Sequence, residues 1–250
     1  MSSIVYMFHS IGDLDINDSA DPHYNYALKK FITLLKAVGP VTSIREALTN
    51  QSLDSSIVTF DDGHISNYAA AIAMHEQKIG VADFFVNPNL VGEKDYMTWS
   101  QLREISALGM SIQSHSLDHV YLSDCSYAEQ SNQLKKSKEI IEHNIGSVVS
   151  ILAPPGGRYN SDTVKIAEKV GYQVITNSKP GVWHRLDQKL IPRIPVHIND
   201  SISKLASCAE ENSLYVRKLK AKYIVTGLAK KALGNNNYEK LRSSVLGEKN

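Results

Sequence analysis

The sequence predicts an α/β fold, either a (β/α) barrel or a doubly wound parallel sheet, because short β-branched or apolar runs alternate along it with longer segments of helical period. Two further observations point to the same class. Capping residues or glycines stand at the ends of the helical segments, and no internal repeat or low-complexity linker interrupts the alternation. The runs at 3–8, 56–60, 81–86, 110–114, 148–152, 172–176 and 190–195 read as strands. Between most of them, helices are expected at 25–38, 65–78, 99–108, 127–144 and 161–170. Thr98 with Gln101 and Ser126 with Glu129 form capping boxes, which satisfy amides that a helix start leaves unpaired. Gly80, Gly109, Gly146 and Gly171 stand where helices should end, since a left-handed turn is cheapest for glycine. In both candidate folds the chemistry gathers at the carboxyl ends of the strands.

Bulk composition narrows the function. At 250 residues, 42% hydrophobic and 21% charged, the chain fits one sizeable domain. A formal net charge of +1 argues against nucleic acid as a partner, because binding phosphate backbones needs a concentrated basic surface. Two cysteines, Cys125 and Cys208, cannot make a disulfide framework, and neither a secretory leader pattern nor a membrane-spanning apolar run is present, so a cytoplasmic location is expected.

Two short strings carry the chemistry. Thr59-Phe60-Asp61-Asp62-Gly63 and Ser114-His115-Ser116-Leu117-Asp118-His119 each follow an expected strand, bringing a carboxylate pair and an i, i+4 histidine pair to strand ends. Imidazole and carboxylate are ligands for zinc or a similar divalent ion, and three ligands leave a coordination position open for water. The second aspartate is then free for proton transfer. One helical turn after the strand would aim His115 and His119 at the same point. Against this, Asp-Asp-Gly is a common turn and HxxxH pairs often sit solvated on helices.

At this point the residues resemble the polysaccharide deacetylases that carry the NodB homology domain, carbohydrate esterase family 4. Thr59 to Gly63 is similar to the family's TFDDG motif, His115 to His119 to its H[ST]xxH motif, and Ala82 to Val86 (ADFFV) to its ATFFV strand. Ala153 to Asn160, APPGGRYN, resembles the third motif of exopolysaccharide-type members, and the likeness runs from about residue 6 to about residue 196. It implies a distorted (β/α) barrel of about seven strands; the barrel is expected over 1–212, and 213–250 reads as a C-terminal helical extension packed on the same domain. It further implies Asp61 as general base, and Asp62, His115 and His119 as ligands of a divalent ion, zinc above other first-row metals. The tetrahedral oxyanion would be met by the ion and by a backbone amide near Pro155, Gly156 and Gly157, with Tyr159 in the same motif a further substrate contact.

The departing amine needs a general acid. His9 is favoured because Tyr6-Met7-Phe8-His9-Ser10-Ile11 resembles the YHxI element of members whose acid histidine precedes the aspartate pair. His197, after Arg193-Ile194-Pro195-Val196, is the runner-up, and His184 follows. Where many members have an arginine that orients the base, this chain has Ala153, so Arg193 or Arg158 must supply that charge, Arg193 being favoured because it ends an expected strand. His64 stands at a position that is often tyrosine. Trp99 and Trp183 are readable as sugar-stacking rings or as core, core packing being favoured, and Asp118 as a turn or supporting residue.

The C-terminal segment holds Arg217, Lys218, Lys220, Lys222, Lys230 and Lys231 without an acid, while the rest of the chain is net acidic. These bases scatter around a helix, which favours packing on the barrel with lysines reaching outward; weak association with a membrane surface stays open. A break is expected at 234–237 before a last short helix. The function expected is removal of an N-acetyl group from an amino-sugar glycan, or from its lipid- or nucleotide-linked precursor. Deformylation, hydrolysis of a small amide, and a noncatalytic glycan-binding scaffold are the alternatives.

Overall fold

The structure is a computed structural model that describes residues 2–13, 18–210 and 213–233, with side chains in the last helix described to Thr226. Strand β1 (Val5–Phe8) is followed by β2 (Ser10–Ile11), which pairs with β3 (Asn25–Tyr26) in a small separate ribbon. Helix α1 (Leu28–Ala37), β4 (Val41–Thr42) and α2 (Ile44–Asn50) lead to β5 (Ser56–Phe60). Strand and helix then alternate through α3 (Ser66–Glu76), β6 (Asp83–Val86), α4 (Trp99–Ala107), β7 (Ser111–Ser114), α5 (Tyr127–Ile145), β8 (Ile151–Leu152), α6 (Ser161–Val170) and β9 (Val174–Thr176). Strands β10 (Leu190–Ile191) and β11 (Ile194–Pro195), then α7 (Ile202–Ala206) and α8 (Leu214–Leu233), complete the described chain.

The main sheet is parallel throughout, in the order β10-β9-β8-β7-β6-β5-β1-β11, with β4 added beside β5. Its two ends, β10 and β11, are neighbours in the chain, separated only by Pro192 and Arg193. The strand expected at 190–195 is therefore two short strands that link the ends of the curled sheet. Pro192 explains the break, because it has no N–H to give to a ladder.

Side chains alternate across this sheet with a period of two. Val5, Ile57, Phe85, Ile151, Val174 and Ile191 gather on the inner face, where Trp183 and residues of α2 fill one end. Tyr6, Phe8, Val58, Phe60, Phe84 and Leu152 face outward onto the helices, meeting Phe31, Leu34, Met74, Leu102, Leu134 and Ile166. The expected capping boxes form at Thr98, Ser126 and also Asn160, and Gly146 and Gly171 end α5 and α6 in the left-handed region.

Two local expectations change, and the core reading of Trp183 holds. Residues 25 and 26 pair with β2, so the first helix begins at Leu28. Gly80 is not a helix cap: a Cβ there would lie 2.1 Å from the Val41 carbonyl oxygen, so it is the close approach to β4 that requires glycine. Trp183 is fully buried, its Nε1–H donating to the Arg185 carbonyl at 2.7 Å and its backbone paired with Ser3 near the start of β1, so it belongs to the core at the end remote from the strand C-termini. The expected break at 234–237 lies outside the described residues.

Asp83 is buried on the inner face and accepts N–H bonds from Ile44 at 2.6 Å and Arg45 at 3.5 Å, at the N-terminus of α2. Burial nevertheless dominates and pushes its carboxyl up to about 7. An acid whose folded pKa exceeds its unfolded value, about 4, holds its proton only in the folded state across that window. Its contribution to stability is therefore greatest below the unfolded pKa and falls as pH rises toward 7. Asp83→Asn keeps an oxygen for the Ile44 amide and is expected to remove this decline, so that stability from urea unfolding drops less between pH 5 and 8 than in the parent; an unchanged slope would contradict the assignment.

Candidate active site and metal centre

Continuing each inward-facing row one step past its strand brings His9 after Val5 and Met7, Asp61 after Ile57 and Thr59, Asn87 after Asp83 and Phe85, and His115 after Ser111 and Gln113. Period two thus aims polar residues at one mouth of the sheet. Asp62 breaks the row: it and Gly63 both take left-handed conformations, φ 72° and 74°, which turn its carboxylate away from that of Asp61. The common Asp-Asp-Gly turn is present, and it is what separates the two carboxylates.

Asp62 Oδ1 lies 3.2 Å from His115 Nε2 and 3.1 Å from His119 Nε2, and one ligand atom from each of the three residues falls within 4.8 Å of the others. The expected helical turn between the histidines does not form. Ser116 and His119 have φ of 62° and 60°, and the loop is held by Gln133 of α5, whose Oε1 accepts from the Leu117 and Asp118 amides at 2.9 and 3.1 Å. Asn87 supports the same loop by donating to the carbonyls of His115 and Ser116, and Asp118 bonds Gln133 and Asn89 rather than either histidine. Convergence comes from loop bonds, not from helical spacing.

His115 is buried and its Nδ1 sits 2.7 Å from the Ala153 carbonyl oxygen, an acceptor that fixes Nδ1 as the N–H donor. In the neutral ring Nε2 then presents its lone pair toward Asp62, the tautomer a metal ligand needs. Two imidazole nitrogens and a carboxylate oxygen, all lone-pair donors aimed at one point, fit a divalent ion such as zinc.

Asp61 is almost fully buried, and Arg193, fully buried, grips both of its oxygens: Nη1 donates to Oδ1 at 2.6 Å and Nη2 to Oδ2 at 2.8 Å. Arg193 also donates to Thr59 Oγ1 at 3.2 Å and the Asn177 carbonyl at 3.3 Å. Burial would raise the Asp61 carboxyl, but Arg193 and His115 hold it below its ordinary value. Ala153 has no charge to offer, and Arg193 reaches the aspartate from the β10–β11 link instead. Arg158 lies over the Tyr121 ring, 4.0 Å from its centroid.

A cavity of about 300 Å³ opens here, lined by His9, Asp21, Asp62, His64, Tyr96 and His119 among others. His9 packs against Tyr24 with ring centroids 4.5 Å apart and planes tilted by 40°, and Tyr24 against His197 at 4.9 Å with a tilt of 35°. His9 therefore lies in the cavity wall, whereas His197 is two rings further out, bonded through its N–H to Asp200 at 2.9 Å and not part of the lining. His184 is exposed, next to the buried Trp183 at the far end of the sheet. Burial lowers the His9 pKa, opposed by Asp62 and Asp61, and its Nδ1 has no protein hydrogen-bond partner.

The third-motif loop offers less than expected. Pro155 has no N–H, and the amides of Gly157 and Arg158 donate to the Pro154 and Pro155 carbonyls at 2.9 and 3.1 Å, leaving Gly156 as the amide among these without a backbone acceptor. Tyr159 is half-buried and not part of the cavity lining, and Trp99 packs against the core. His64 is a wall residue, its ring nitrogens 2.7 Å from Ser66 Oγ and 2.9 Å from Asp18 Oδ1. Asn87, Tyr24, Asp18 and Tyr96 went unnoticed in the sequence. Only Asn87 had a signal there, its place two residues beyond buried Phe85 in the inward row.

The polysaccharide deacetylase family model matches residues 50–175, half of the chain. The chain belongs to the polysaccharide deacetylase family. Within it, Bacillus subtilis YxkH, named for the same family, is 32% identical over 147 residues, 59% of this chain and 52% of YxkH. The peptidoglycan-N-acetylglucosamine deacetylase of Bacillus cereus is 29% identical over 129 residues, 51% of this chain and 56% of that one. The matches thus span about half the length of these relatives. In fold, the chain is similar to the Streptococcus pyogenes deacetylase PplD, solved in complex with acetate, with TM-score 0.75 and 24% identity over 84% of this chain and 99% of that one.

Removing the guanidinium would leave Asp61 buried and uncompensated. Arg193→Met is expected to cost about 3–5 kcal/mol in urea unfolding. The same substitution in an Asp61→Asn background should cost clearly less, because no charge is left stranded; equal costs in the two backgrounds would show that the pair is not coupled.

Proposed function

We propose that this protein hydrolyses the N-acetyl amide of an amino-sugar glycan or of its lipid- or nucleotide-linked precursor. The observation that carries this reading is the juxtaposition, at one strand-end mouth, of the Asp62, His115 and His119 donor set with a second carboxylate, Asp61, held ionised by Arg193. In this reading Asp62, His115 and His119 hold a divalent ion, zinc by donor type. Such an ion, when bound, supplies Lewis acidity toward the amide carbonyl and makes water easier to deprotonate.

Asp61 accepts the proton from the attacking water. Both of its oxygens are engaged by Arg193, so it cannot rotate away, and each oxygen keeps a second in-plane lone pair for a third partner. His9 delivers a proton to the departing amine. Its lowered pKa makes its imidazolium a stronger acid, and the neighbouring Asp61 and Asp62 carboxylates favour its protonation before the amide breaks. The Tyr24 ring packed against it restricts the orientations of the imidazole. The Gly156 amide is the loop donor available to the oxyanion. A cavity of about 300 Å³ suits a single sugar ring rather than a buried polymer, so a longer glycan would lie across the mouth.

The test is release of acetate from N-acetylglucosamine oligomers and from lipid- and nucleotide-linked N-acetylamino sugars, with formate release from formamido sugars assayed alongside, using protein of measured zinc content. Acetate release is expected, falling about 10²–10⁴-fold in His9→Ala and staying within a few-fold in His197→Ala. The reverse pattern would move the acid role to His197. Metal-loaded protein that releases neither acetate nor formate from any of these would overturn the enzymatic reading.

A further inference from the structure

Helix α8 has two apolar faces, and the barrel covers only one of them. Tyr215, Val216 and Leu219 pack against the core, and the Tyr215 hydroxyl donates to Asp200 Oδ1 at 2.8 Å. From Lys220 to Val225 every residue is exposed, Ile224 and Val225 by 61% and 65%. At about 100° per residue, Leu214, Ala221 and Val225 fall on one stripe, with Ile224 beside it, turned away from the face that carries Tyr215 and Leu219. Leu214 is likewise exposed, by 69%. The two opposed faces explain why the apolar residues scatter when the sequence alone is projected on a helix. Among the described side chains of α8, those that pack on the barrel lie in its first turns.

Arg217 and Lys220 flank the outer stripe on one side and Lys218 and Lys222 on the other, all four exposed. Positions 213–233 hold six bases and no acid. The helix starts beside Asp200, in the loop after β11, and five residues after Tyr215 the stem of Lys220 runs beside Gly181, which precedes β11. It therefore descends from the end that carries the cavity toward the opposite end. No helix among the described residues is long and apolar enough to cross a membrane.

We propose that the outer face of α8 docks the protein on an anionic lipid bilayer, lying in the interface with Leu214, Ile224 and Val225 toward the acyl chains and the flanking bases against the headgroups. Charge selects this occupant. A second copy meeting the same face would set Arg217, Lys218, Lys220 and Lys222 against their own like charges, whereas an anionic surface complements them and accepts the apolar stripe as well. Because the helix runs away from the cavity end, docking leaves the mouth open to solvent.

The test is co-sedimentation of the full chain with phosphatidylcholine vesicles containing or lacking phosphatidylglycerol, at low and high salt. Sedimentation is expected with the anionic vesicles only, weakened by salt. Each base at such a surface strengthens binding by about fivefold, so Lys218→Glu/Lys222→Glu should weaken it by about 25-fold or more. Ile224→Ser/Val225→Ser should also weaken it at unchanged charge. Both variants should keep the thermal stability and the acetate release of the parent on soluble substrates, which separates this proposal from the catalytic one. Equal binding to uncharged vesicles, binding undiminished in both variants, or no binding with self-association that Ile224→Ser/Val225→Ser abolishes would overturn it.

Discussion

The Asp61 carboxylate is buried inside the curled sheet, and two parallel N–H bonds from a buried Arg193 make its ionised form tenable there. Desolvation alone would neutralise such an acid, and a neutral acid cannot take a proton from water. Arg193 points into the barrel because it stands two residues after Ile191 on the inward row of the segment that links the two ends of the sheet. From inside it reaches Thr59 and Asp61 on one neighbouring row and the Asn177 carbonyl on another. The link between the sheet ends and the ionisation of Asp61 therefore meet at the same side chain.

The donor triad rests on a second layer of bonds that the strands alone do not provide. His115 is set by the Ala153 carbonyl, at the end of the neighbouring β8, and the loop that returns His119 is braced by Gln133 from α5 and Asn87 from the end of β6. Three separate elements thus converge on the histidine pair, while Asp62 is delivered by consecutive left-handed residues. Ala153 contributes its backbone where many family members contribute an arginine, and its small side chain lies buried in the inner core.

Much of this was legible in the sequence because strand ends are where alternation stops. Buried strands of β-branched and aromatic residues marked β5 to their exact bounds, and capping signals fixed the starts of α4 and α5. The Asp-Asp and His-His pairs were visible as chemistry, and Arg193 as a charge at a strand end. What could not be read depends on contacts distant in sequence. The left-handed backbone at Ser116 and His119 is stabilised by a glutamine more than a dozen residues away, and the row of tilted rings His9, Tyr24 and His197 joins three segments. The apolar faces of α8 cancelled in projection because only the fold decides which of them is covered.

The most direct test is the ionisation of Asp61 itself, followed by carboxyl ¹³C NMR in metal-free protein across the acid range, in the parent and in Arg193→Met. In the parent, Asp61 should titrate below the ordinary aspartate value, and in Arg193→Met well above it, since burial would then act unopposed. An Asp61 that titrates at or above the ordinary value in the parent, or is unmoved by loss of the guanidinium, would contradict the central role given to this pair.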